Sequence, residues 1–361
     1  MNIVWFSEIR WDYLKTRKQH LLSQFPEGDK ILFIQPFNLT KTEKSKFIPS
    51  NISCITVPIF RRGNRLSNIF SKYLLFRWII YKITKFYTKM IIKKYYGNSD
   101  IVICISNIFY IPIIEKLNSR IFWDFNDDPA QFSPIPIWIE QKYIKLLSDP
   151  KTTIVSSSIG LEGMISKRFK KYPITIPNGV ELSKFENYKR KNISKKKIIL
   201  GYIGVISNWF FDFELIHNIS KHFPETEIWI YGPQDKKAHL SIKKISKLSN
   251  VKIFPPLDYD DLPSTINLFS IGIIPLKSID MVWRLASGKL LQFLASGIPV
   301  VSVYMEQYIK LKNLKLCKTH NEFIEGLNYF LKNSNSIFNE NDLSKYDWSL
   351  LANRYRKLLY K

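Results

Sequence analysis

The stretch Gly272–Val303, GIIPLKSIDMVWRLASGKLLQFLASGIPVVSV, decides the fold that we predict for this chain. Its two ends are short apolar runs, which are typical of strands buried on both faces. Between them Ser287 can cap a helix that Gly297 ends. A loop that leads from a parallel strand into a helix N-terminus is a potential anion site, where Arg284 and Lys289 would add positive charge. An ordinary strand–helix–strand unit with two surface cations explains the pattern equally well.

Strands and helical segments alternate along the rest of the chain, which predicts an α/β protein with doubly wound parallel sheets. A length of 361 residues suggests two domains. The stretch 187–197 is polar and basic, and we interpret it as a linker. The predicted domains are therefore 1–186 and 198–344, followed by a C-terminal helix in 345–361 that could cross back to the first domain. We expect the two domains to face each other across a ligand-binding cleft.

The charge of the chain predicts an anionic partner. The formal net charge is +24, and no acidic residue occurs between Glu43 and Asp100. The periodicity of Leu74–Tyr96 predicts a basic amphipathic helix rich in aromatic residues, so we expect the Lys72–Lys94 region to dock on an anionic membrane surface. A helix packed on its own domain with a solvated basic face is the alternative. Nucleic acid is disfavoured as a partner, because the sequence carries no helix-turn-helix, zinc-finger or RNA-recognition signature.

Other features indicate a cytoplasmic protein. Cys54, Cys104 and Cys317 are widely spaced and odd in number, as expected of reduced thiols. The first residues resemble a strand rather than a signal peptide. No window approaches the roughly 18 uncharged apolar residues of a spanning helix.

Several segments, in chain order, resemble those of GT-B fold glycosyltransferases. They are WDFNDD (Trp123–Asp128), IPNGVELSKF (Ile176–Phe185), GYIGVIS (Gly201–Ser207) and GKLLQFLASGIPVV (Gly288–Val301). The first of them, together with the N-terminal residues Trp11, Arg17 and His20, is similar to the bacterial group 1/family 4-like members that build surface polysaccharides. The segments cover nearly the whole chain, so the resemblance implies two Rossmann-like domains.

The resemblance implies transfer of a sugar from a nucleoside-diphosphate sugar, a UDP-sugar rather than a GDP-sugar, with no further cofactor and no metal. We interpret Asp258-Tyr-Asp260 as a helix start rather than a metal-binding motif. The donor-site residues lie at strand ends and around the helix of the opening stretch: Gly204, Ser207, Tyr231, Gly232, Pro256, Leu257, Arg284, Ser287, Lys289, Leu290 and Gln292. Gly204 would let backbone amides approach the diphosphate, and Lys289 would stabilise the departing nucleotide. Gln292 stands where the relatives have a glutamate that holds the ribose hydroxyls.

The acceptor is expected on the first domain, where Asp124, Asp127 and Asp128 follow a strand. One of these carboxylates could take the proton of the acceptor hydroxyl if a neighbouring carboxylate raised its pKa. A turn-capping role for them stays open. The residues expected around the acceptor are Glu8, Arg17 and His20, the last two on a helix predicted over Trp11–Phe25. Arg17 and Arg10 could hold an acceptor phosphate or lie in solvent. The resemblance assigns Asn178 and Gly179 to the region between the domains.

The sequence as a whole therefore predicts a glycosyltransferase that extends a lipid-linked saccharide at the inner face of the cell membrane, in capsule, O-antigen or other surface-polysaccharide biosynthesis. Two alternatives are a GT-B enzyme that modifies nucleic acid and a degenerate GT-B subunit that scaffolds a partner. The departures at Gln292 and Arg284 favour the scaffold, whereas Gly204, Lys289 and Asn178 argue against it.

Overall fold

The computed structural model describes residues 1–12, 15–37, 48–60, 73–115, 117, 119–132, 134–188, 197–333 and 342–360. The chain divides into two compact units. Unit 1 comprises Met1–Ile176 and Ala352–Lys361, and unit 2 comprises Pro177–Leu351. The boundary thus falls at 176/177, before the stretch that we interpreted as a linker, of which 189–196 lie outside the described residues.

Unit 1 is built on a seven-stranded parallel sheet. Its strands are β1 (Asn2–Phe6), β2 (Lys30–Phe37), β3 (Ile52–Phe60), β4 (Val102–Ile105), β5 (Arg120–Phe125), β6 (Thr152–Ser156) and β7 (Ile174–Thr175). They lie in the order β3-β2-β1-β4-β5-β6-β7, and every neighbouring pair is parallel. β1 and β4 are almost wholly apolar and buried, as expected of central strands covered on both faces.

The α-helices of unit 1 flank this sheet. They are α1 (Arg17–Leu22), α2 (Leu74–Tyr96), α3 (Ile111–Ile114), α4 (Pro129–Phe132), α5 (Ile137–Ser148) and α6 (Ile159–Phe169). The helix predicted from Trp11 was wrong in its start. α1 begins only at Arg17, because the side chain of Gln19 accepts a hydrogen bond from the backbone N–H of Thr16 and caps the helix there.

Unit 2 carries a six-stranded parallel sheet in the order β10-β9-β8-β11-β12-β13. Its strands are β8 (Ile199–Ile203), β9 (Glu227–Tyr231), β10 (Val251–Phe254), β11 (Ile271–Ile274), β12 (Val300–Val303) and β13 (Leu314–Cys317). Its helices are α7 (Leu182–Glu186), α8 (Phe213–His222), α9 (His239–Ile245), α10 (Leu262–Ile266), α11 (Asp280–Trp283), α12 (Gly288–Ala295), α13 (His320–Lys332) and α14 (Trp348–Tyr360), the last of which continues into unit 1.

The opening stretch folds as predicted into a strand, a loop, a helix and a strand, which are β11, α12 and β12. Ser287 occupies the N-cap position of α12, and Gly297 follows the helix at a φ of 71°. A Cβ atom on Gly272 would lie 2.5 Å from the ring of Phe293, so α12 packs directly on β11. The short helix α11 within the loop was not predicted.

Each sheet has one point at which the strand order reverses. In unit 1 this point lies between β1 and β4, and in unit 2 it lies between β8 and β11. Connections leave these adjacent strands toward opposite faces, which opens a crevice at their carboxyl ends. Open α/β sheets bind ligands in such crevices, so each unit carries its own candidate site.

Candidate active site

In unit 2 the loops that follow β8 and β9 touch backbone to backbone. The N–H of Gly204 donates to the carbonyl oxygen of Tyr231 at 2.9 Å. Gly232 has a φ of 146°, and a Cβ atom there would lie 1.9 Å from the carbonyl oxygen of Gly204. The amide of Gly204 is therefore used inside the sheet. Gly204 is thus a site of close packing, and the expectation that it lets backbone amides approach the diphosphate stays a prediction.

This close approach predicts that Gly232→Ala lowers the free energy of unfolding by at least about 2 kcal/mol. The reason is that an alanine would be strained at this φ and its Cβ atom would overlap the carbonyl oxygen of Gly204. Chemical denaturation of the variant measures the change. Gly163→Ala is the matched control. Gly163 lies inside α6, and a Cβ atom there would meet nothing within 4 Å, so this control is expected to be neutral or stabilising. Equal stability of the two variants would contradict the prediction.

The loops after β8 and β11 are joined across the unit 2 crevice. The N–H of Lys277 donates to the carbonyl of Phe210 at 2.7 Å, and its Nζ donates to the carbonyl of Asn208 at 2.6 Å. The buried hydroxyl of Ser207 accepts a hydrogen bond from the N–H of Trp209 at 3.3 Å. Ser207 thus fixes the turn, and its hydroxyl hydrogen can still be donated to an anion.

The N-terminus of α12 is held at the same crevice by segments of unit 2. Asn178 Nδ2 donates to the carbonyl of Ala286 at 2.8 Å, and Tyr308 Oη donates to the carbonyl of Ser287 at 3.0 Å. A Cβ atom on Gly288 would lie 3.5 Å from the carbonyl of Gly179. The first amides of a helix have no acceptor within the helix, so this fixed end can bind an anion. Asn178 and Gly179, which we assigned between the domains, contact unit 2 here.

The polar side chains predicted along this stretch have different surroundings. Lys289 is exposed, yet desolvation by the surrounding protein lowers its pKa from the usual lysine value. Arg284 pairs with Asp280 at 2.5 Å, so its charge is shared with a carboxylate. Gln292 is buried. The side chain of Leu290 lies in the core, so this residue can contribute only its backbone amide to a ligand.

The ends of β9 and β10 lie beside these loops. The rings of Tyr231 and Phe254 stack with centroids 4.4 Å apart and planes at 11°. Tyr231 is buried in this stack, whereas Pro256 and Leu257 are accessible at the end of β10. Pro256 and Leu257 are therefore the better candidates for a wall against a nucleoside.

The Asp258-Tyr-Asp260 segment starts a short 3₁₀-helix, Tyr259–Asp261, as its interpretation as a helix start predicted. Asp260 pairs with Lys184. Within the described part of the chain, no group of three or more histidine, cysteine or acidic residues is arranged to hold a metal ion.

In unit 1 the crevice between β1 and β4 contains Glu8. One carboxylate oxygen, Oε1, accepts a hydrogen bond from Lys18 Nζ at 2.5 Å. The other, Oε2, accepts one from Ser106 Oγ at 2.5 Å. The side chain of Glu8 is 36% exposed, whereas that of Lys18 is only 2% exposed. Glu8, which we expected near the acceptor, is thus fixed from two sides and open on another.

Asp124 and Arg17 form a buried ion pair, with Arg17 Nε 3.1 Å from Asp124 Oδ1 and side chains that are 0% and 2% exposed. His20 is also buried. These placements disfavour the roles that we predicted for the three residues, because a group without solvent access cannot meet an acceptor in this state. The helix α1 turns Arg17 and His20 toward the interior, whereas Asp124 lies on β5.

The remaining two aspartates differ in their contacts. Asp128 Oδ1 accepts the N–H of Ala130 at 3.0 Å, and Oδ2 accepts from Arg168 Nη1 at 3.3 Å, so Asp128 starts α4. Asp127 is half-buried, and its Oδ2 accepts from Asn126 Nδ2 at 2.8 Å. Desolvation raises the pKa of Asp127 to about 6, with a further rise from the charge of Glu8. Of the three aspartates, Asp127 best fits a proton acceptor at neutral pH.

Two residues of this cluster, Lys18 and Ser106, escaped the sequence reasoning. A signal for Lys18 existed. It precedes the buried Leu21 and Leu22 by three and four residues, so a cation occupies the apolar face of α1. Ser106 directly follows β4, and only the strand order shows that it lies next to β1.

The α2 helix presents an unusual surface. Its buried residues include Thr84 and Thr88, whereas many of its large apolar side chains face solvent. We call the exposed set the α2 surface: Tyr73, Leu74, Leu75, Phe76, Trp78, Ile79, Ile83, Phe86, Tyr87, Met90 and Tyr95. Leu74 and Phe86 are 71% and 72% exposed. The exposed basic residues Lys82, Lys89 and Lys93 lie among them. Lys72 lies outside the described residues.

None of the helices in the described ranges has the length and apolarity needed to cross a bilayer.

Comparison with known proteins bears on the fold. No protein-family model matches the chain. Over 158 residues it is 30% identical to the putative teichuronic acid biosynthesis glycosyltransferase TuaH of Bacillus subtilis (strain 168). This match covers 42% of the chain and 38% of TuaH, so the chain spans less than two fifths of that relative's length.

Two solved structures resemble the whole chain. Sucrose-phosphate synthase from Thermosynechococcus elongatus has a TM-score of 0.67 at 11% identity, covering 100% of this chain and 95% of the synthase. Anabaena HepE in complex with UDP and glucose has a TM-score of 0.61 at 11% identity, covering 99% and 94%. The two parallel sheets and this full-length likeness show that the chain has the GT-B fold, with two Rossmann-like units, as the sequence predicted.

Proposed function

We propose that this protein is a glycosyltransferase that uses a UDP-sugar as its donor. The observation that carries the proposal is the unit 2 crevice, where the loops after β8 and β11 meet beside the fixed N-terminus of α12 and Lys289. The similarity to TuaH, whose name describes a glycosyltransferase, supports the activity. The complex of HepE with UDP and glucose supports the choice of donor.

The chemistry follows from where charge develops. In sugar transfer the bond between the anomeric carbon and the nucleoside diphosphate breaks, and negative charge grows on the leaving diphosphate. The amides at the start of α12 and the ammonium of Lys289 are groups that stabilise such charge. The acceptor hydroxyl forms the new bond to the anomeric carbon and loses its proton. We assign the role of proton acceptor to Asp127.

Thermal unfolding with nucleotides tests the donor half of the proposal. UDP at a hundredfold excess over its Kd is expected to stabilise the protein by ~2.7 kcal/mol, and GDP is expected to do so less. Adenosine monophosphate, which lacks the diphosphate, is the control. Equal stabilisation by UDP and by adenosine monophosphate would contradict the proposed glycosyltransferase activity and favour a scaffold that binds no donor.

We further propose that the acceptor is a lipid-linked saccharide in the synthesis of a surface polysaccharide, reached at the inner face of the cell membrane. The α2 surface supports this proposal, since it exposes aromatic and aliphatic side chains next to lysines, the composition that suits a bilayer with anionic headgroups. TuaH, named for teichuronic acid biosynthesis, supports the class of product.

Flotation with vesicles of phosphatidylglycerol and phosphatidylcholine tests the membrane part. We expect the protein to float with the vesicles, and the combined variant Phe76→Ser, Trp78→Ser, Phe86→Ser to lose most of its binding. The reason is that burying each exposed aromatic side chain contributes roughly 1.5–3 kcal/mol. Tyr172→Ser removes an aromatic residue that is 92% exposed outside the α2 surface and is the matched control.

The salt dependence separates insertion from simple charge attraction. Because apolar burial is not screened, we expect part of the binding to persist at about 0.5 M salt. Complete loss of binding at that salt, with no effect of the triple substitution, would contradict insertion and leave only electrostatic docking.

A further inference from the structure

The unit 1 crevice holds a carboxylate in a fixed orientation. Glu8 follows β1 and Ser106 follows β4, and the hydrogen bond between Ser106 Oγ and Glu8 Oε2 closes the crevice at the point where the strand order reverses. With Lys18 on Oε1, each carboxylate oxygen of Glu8 already has a donor. The side chain is thus held in one position while 36% of it stays exposed.

Burying Lys18 to hold Glu8 in this way costs desolvation free energy. Lys18 is one of the largest fully buried side chains of the protein, and a lysine is almost never fully buried unless it is paired. Taking an ammonium out of water is expensive, and its attraction to a half-exposed carboxylate offsets the cost only in part. A methionine of similar length would fill the same space on α1. The fixed orientation that Lys18 gives to the Glu8 carboxylate therefore explains the buried cation better than a contribution to the free energy of folding does.

The charge of the crevice limits what it can bind. An ionised carboxylate only accepts hydrogen bonds, so it can bind hydroxyl groups, whereas a fully ionised phosphate offers it no hydrogen to accept. The two arginines considered for an acceptor phosphate are engaged by carboxylates. Arg10 Nη2 lies 2.8 Å from Asp12 Oδ2, and Arg17 lies against the buried Asp124. The crevice accordingly suits an uncharged part of a substrate that carries several hydroxyl groups.

We propose that Glu8 binds hydroxyl groups of an uncharged acceptor sugar and that Lys18, helped by Ser106, is the positioning residue that holds Glu8 for this task. The inference rests on the proposed glycosyltransferase function and names the substrate class at its acceptor end. Any phosphate of a lipid-linked acceptor then lies away from this crevice.

The same arrangement affects Asp127. The groups that act on its carboxylate are Glu8 and Asp124, which raise its pKa, and Lys18 and the amide of Asn126, which lower it. Glu8→Gln and Lys18→Met are therefore expected to move the acidic limb of the pH–rate profile in opposite directions, to lower pH for Glu8→Gln and to higher pH for Lys18→Met. These shifts test the charge contacts of Asp127, and the acceptor kinetics test whether Lys18 positions Glu8.

The experiment uses the full chain, a set of radiolabelled UDP-hexoses and a panel of octyl hexosides as uncharged acceptors. Lys18→Met and Glu8→Gln are each expected to lower kcat/KM for the octyl hexoside about 10²-fold, because the acceptor is misplaced, while UDP binding by thermal shift stays unchanged. The double variant is expected to lose no more than either single variant, since both act through one contact. Lys142→Met and Glu115→Gln, which break an exposed ion pair of unit 1, are the matched controls.

Two outcomes would overturn the inference. One is a Lys18→Met protein that is less stable but transfers sugar with unchanged kinetics. The other is a wild-type protein that binds UDP and transfers sugar only to acceptors whose accepting sugar itself carries a phosphate. Failure to bind UDP at all would instead overturn the proposed function.

Discussion

Lys289→Met is expected to lower the rate constant of sugar transfer roughly 10²- to 10³-fold, the usual cost of removing one group that stabilises transition-state charge. Lys289 is the second residue of α12, in its first turn, and the residue is exposed. Desolvation lowers the pKa of Lys289 from the usual lysine value. An incoming anion would stabilise the charged form of such an ammonium. The transfer assay with UDP-hexoses measures the effect.

The matched control for this variant is Lys244→Met, which removes an exposed lysine from the last turn of α9 in the same unit. We expect this control to transfer sugar at the wild-type rate. Thermal shift with UDP separates binding from chemistry, since a loss of rate that exceeds the loss of UDP affinity shows that Lys289 acts mainly in the transition state. Equal rates for the two variants would remove Lys289 from the donor site.

Asp127→Asn is expected to lower the transfer rate roughly 10²- to 10⁴-fold, the range for loss of a general base. The wild-type rate should rise with pH through about 6, because the pKa of Asp127 is raised to about 6 and only the deprotonated carboxylate can take a proton. The asparagine variant should lose this acidic limb. The pH–rate profile of both proteins provides the measurement.

The thermal stability of Asp127→Asn at pH 8 should rise, although its transfer rate falls. A carboxyl whose pKa is higher in the folded than in the unfolded state favours folding when it is protonated, and this contribution is lost as the pH rises through about 6. At pH 8 the neutral asparagine avoids the cost of a half-buried charge, so Asp127→Asn is expected to unfold at a higher temperature than the wild type. Glu225→Gln, an exposed carboxylate in unit 2, should change neither rate nor stability. A destabilised Asp127→Asn protein would identify Asp127 as a structural residue.

Much of the fold could be predicted from the sequence, because the signals are local. The alternation of strands and helical segments predicted doubly wound parallel sheets, and the structure contains two of them. The periodicity of Leu74–Tyr96 predicted the bounds of α2, and the opening stretch predicted β11, α12 and β12. Hydrophobic patterning and caps act over a few residues, so the order of elements follows from them.

The candidate site could be predicted only in part. The sequence indicated which loops carry polar residues, and it gave Lys289, Glu8 and Asp127 as candidates, whose roles stay predictions. It could not separate Asp127 from Asp124 and Asp128, since all three follow the same strand. Their difference comes from partners distant in sequence, namely Arg17 for Asp124 and Arg168 for Asp128.

The sequence by itself thus determined the class of fold, the order of its elements and the basic character of α2. The tertiary structure alone decided that Lys18 is buried against Glu8, that Arg17 is withdrawn into the core and that α2 buries threonines while exposing its aromatics. The physical reason is that burial and charge pairing depend on which strands lie side by side. β1 and β4 are neighbours in space, although about a hundred residues separate Glu8 from Ser106 along the chain.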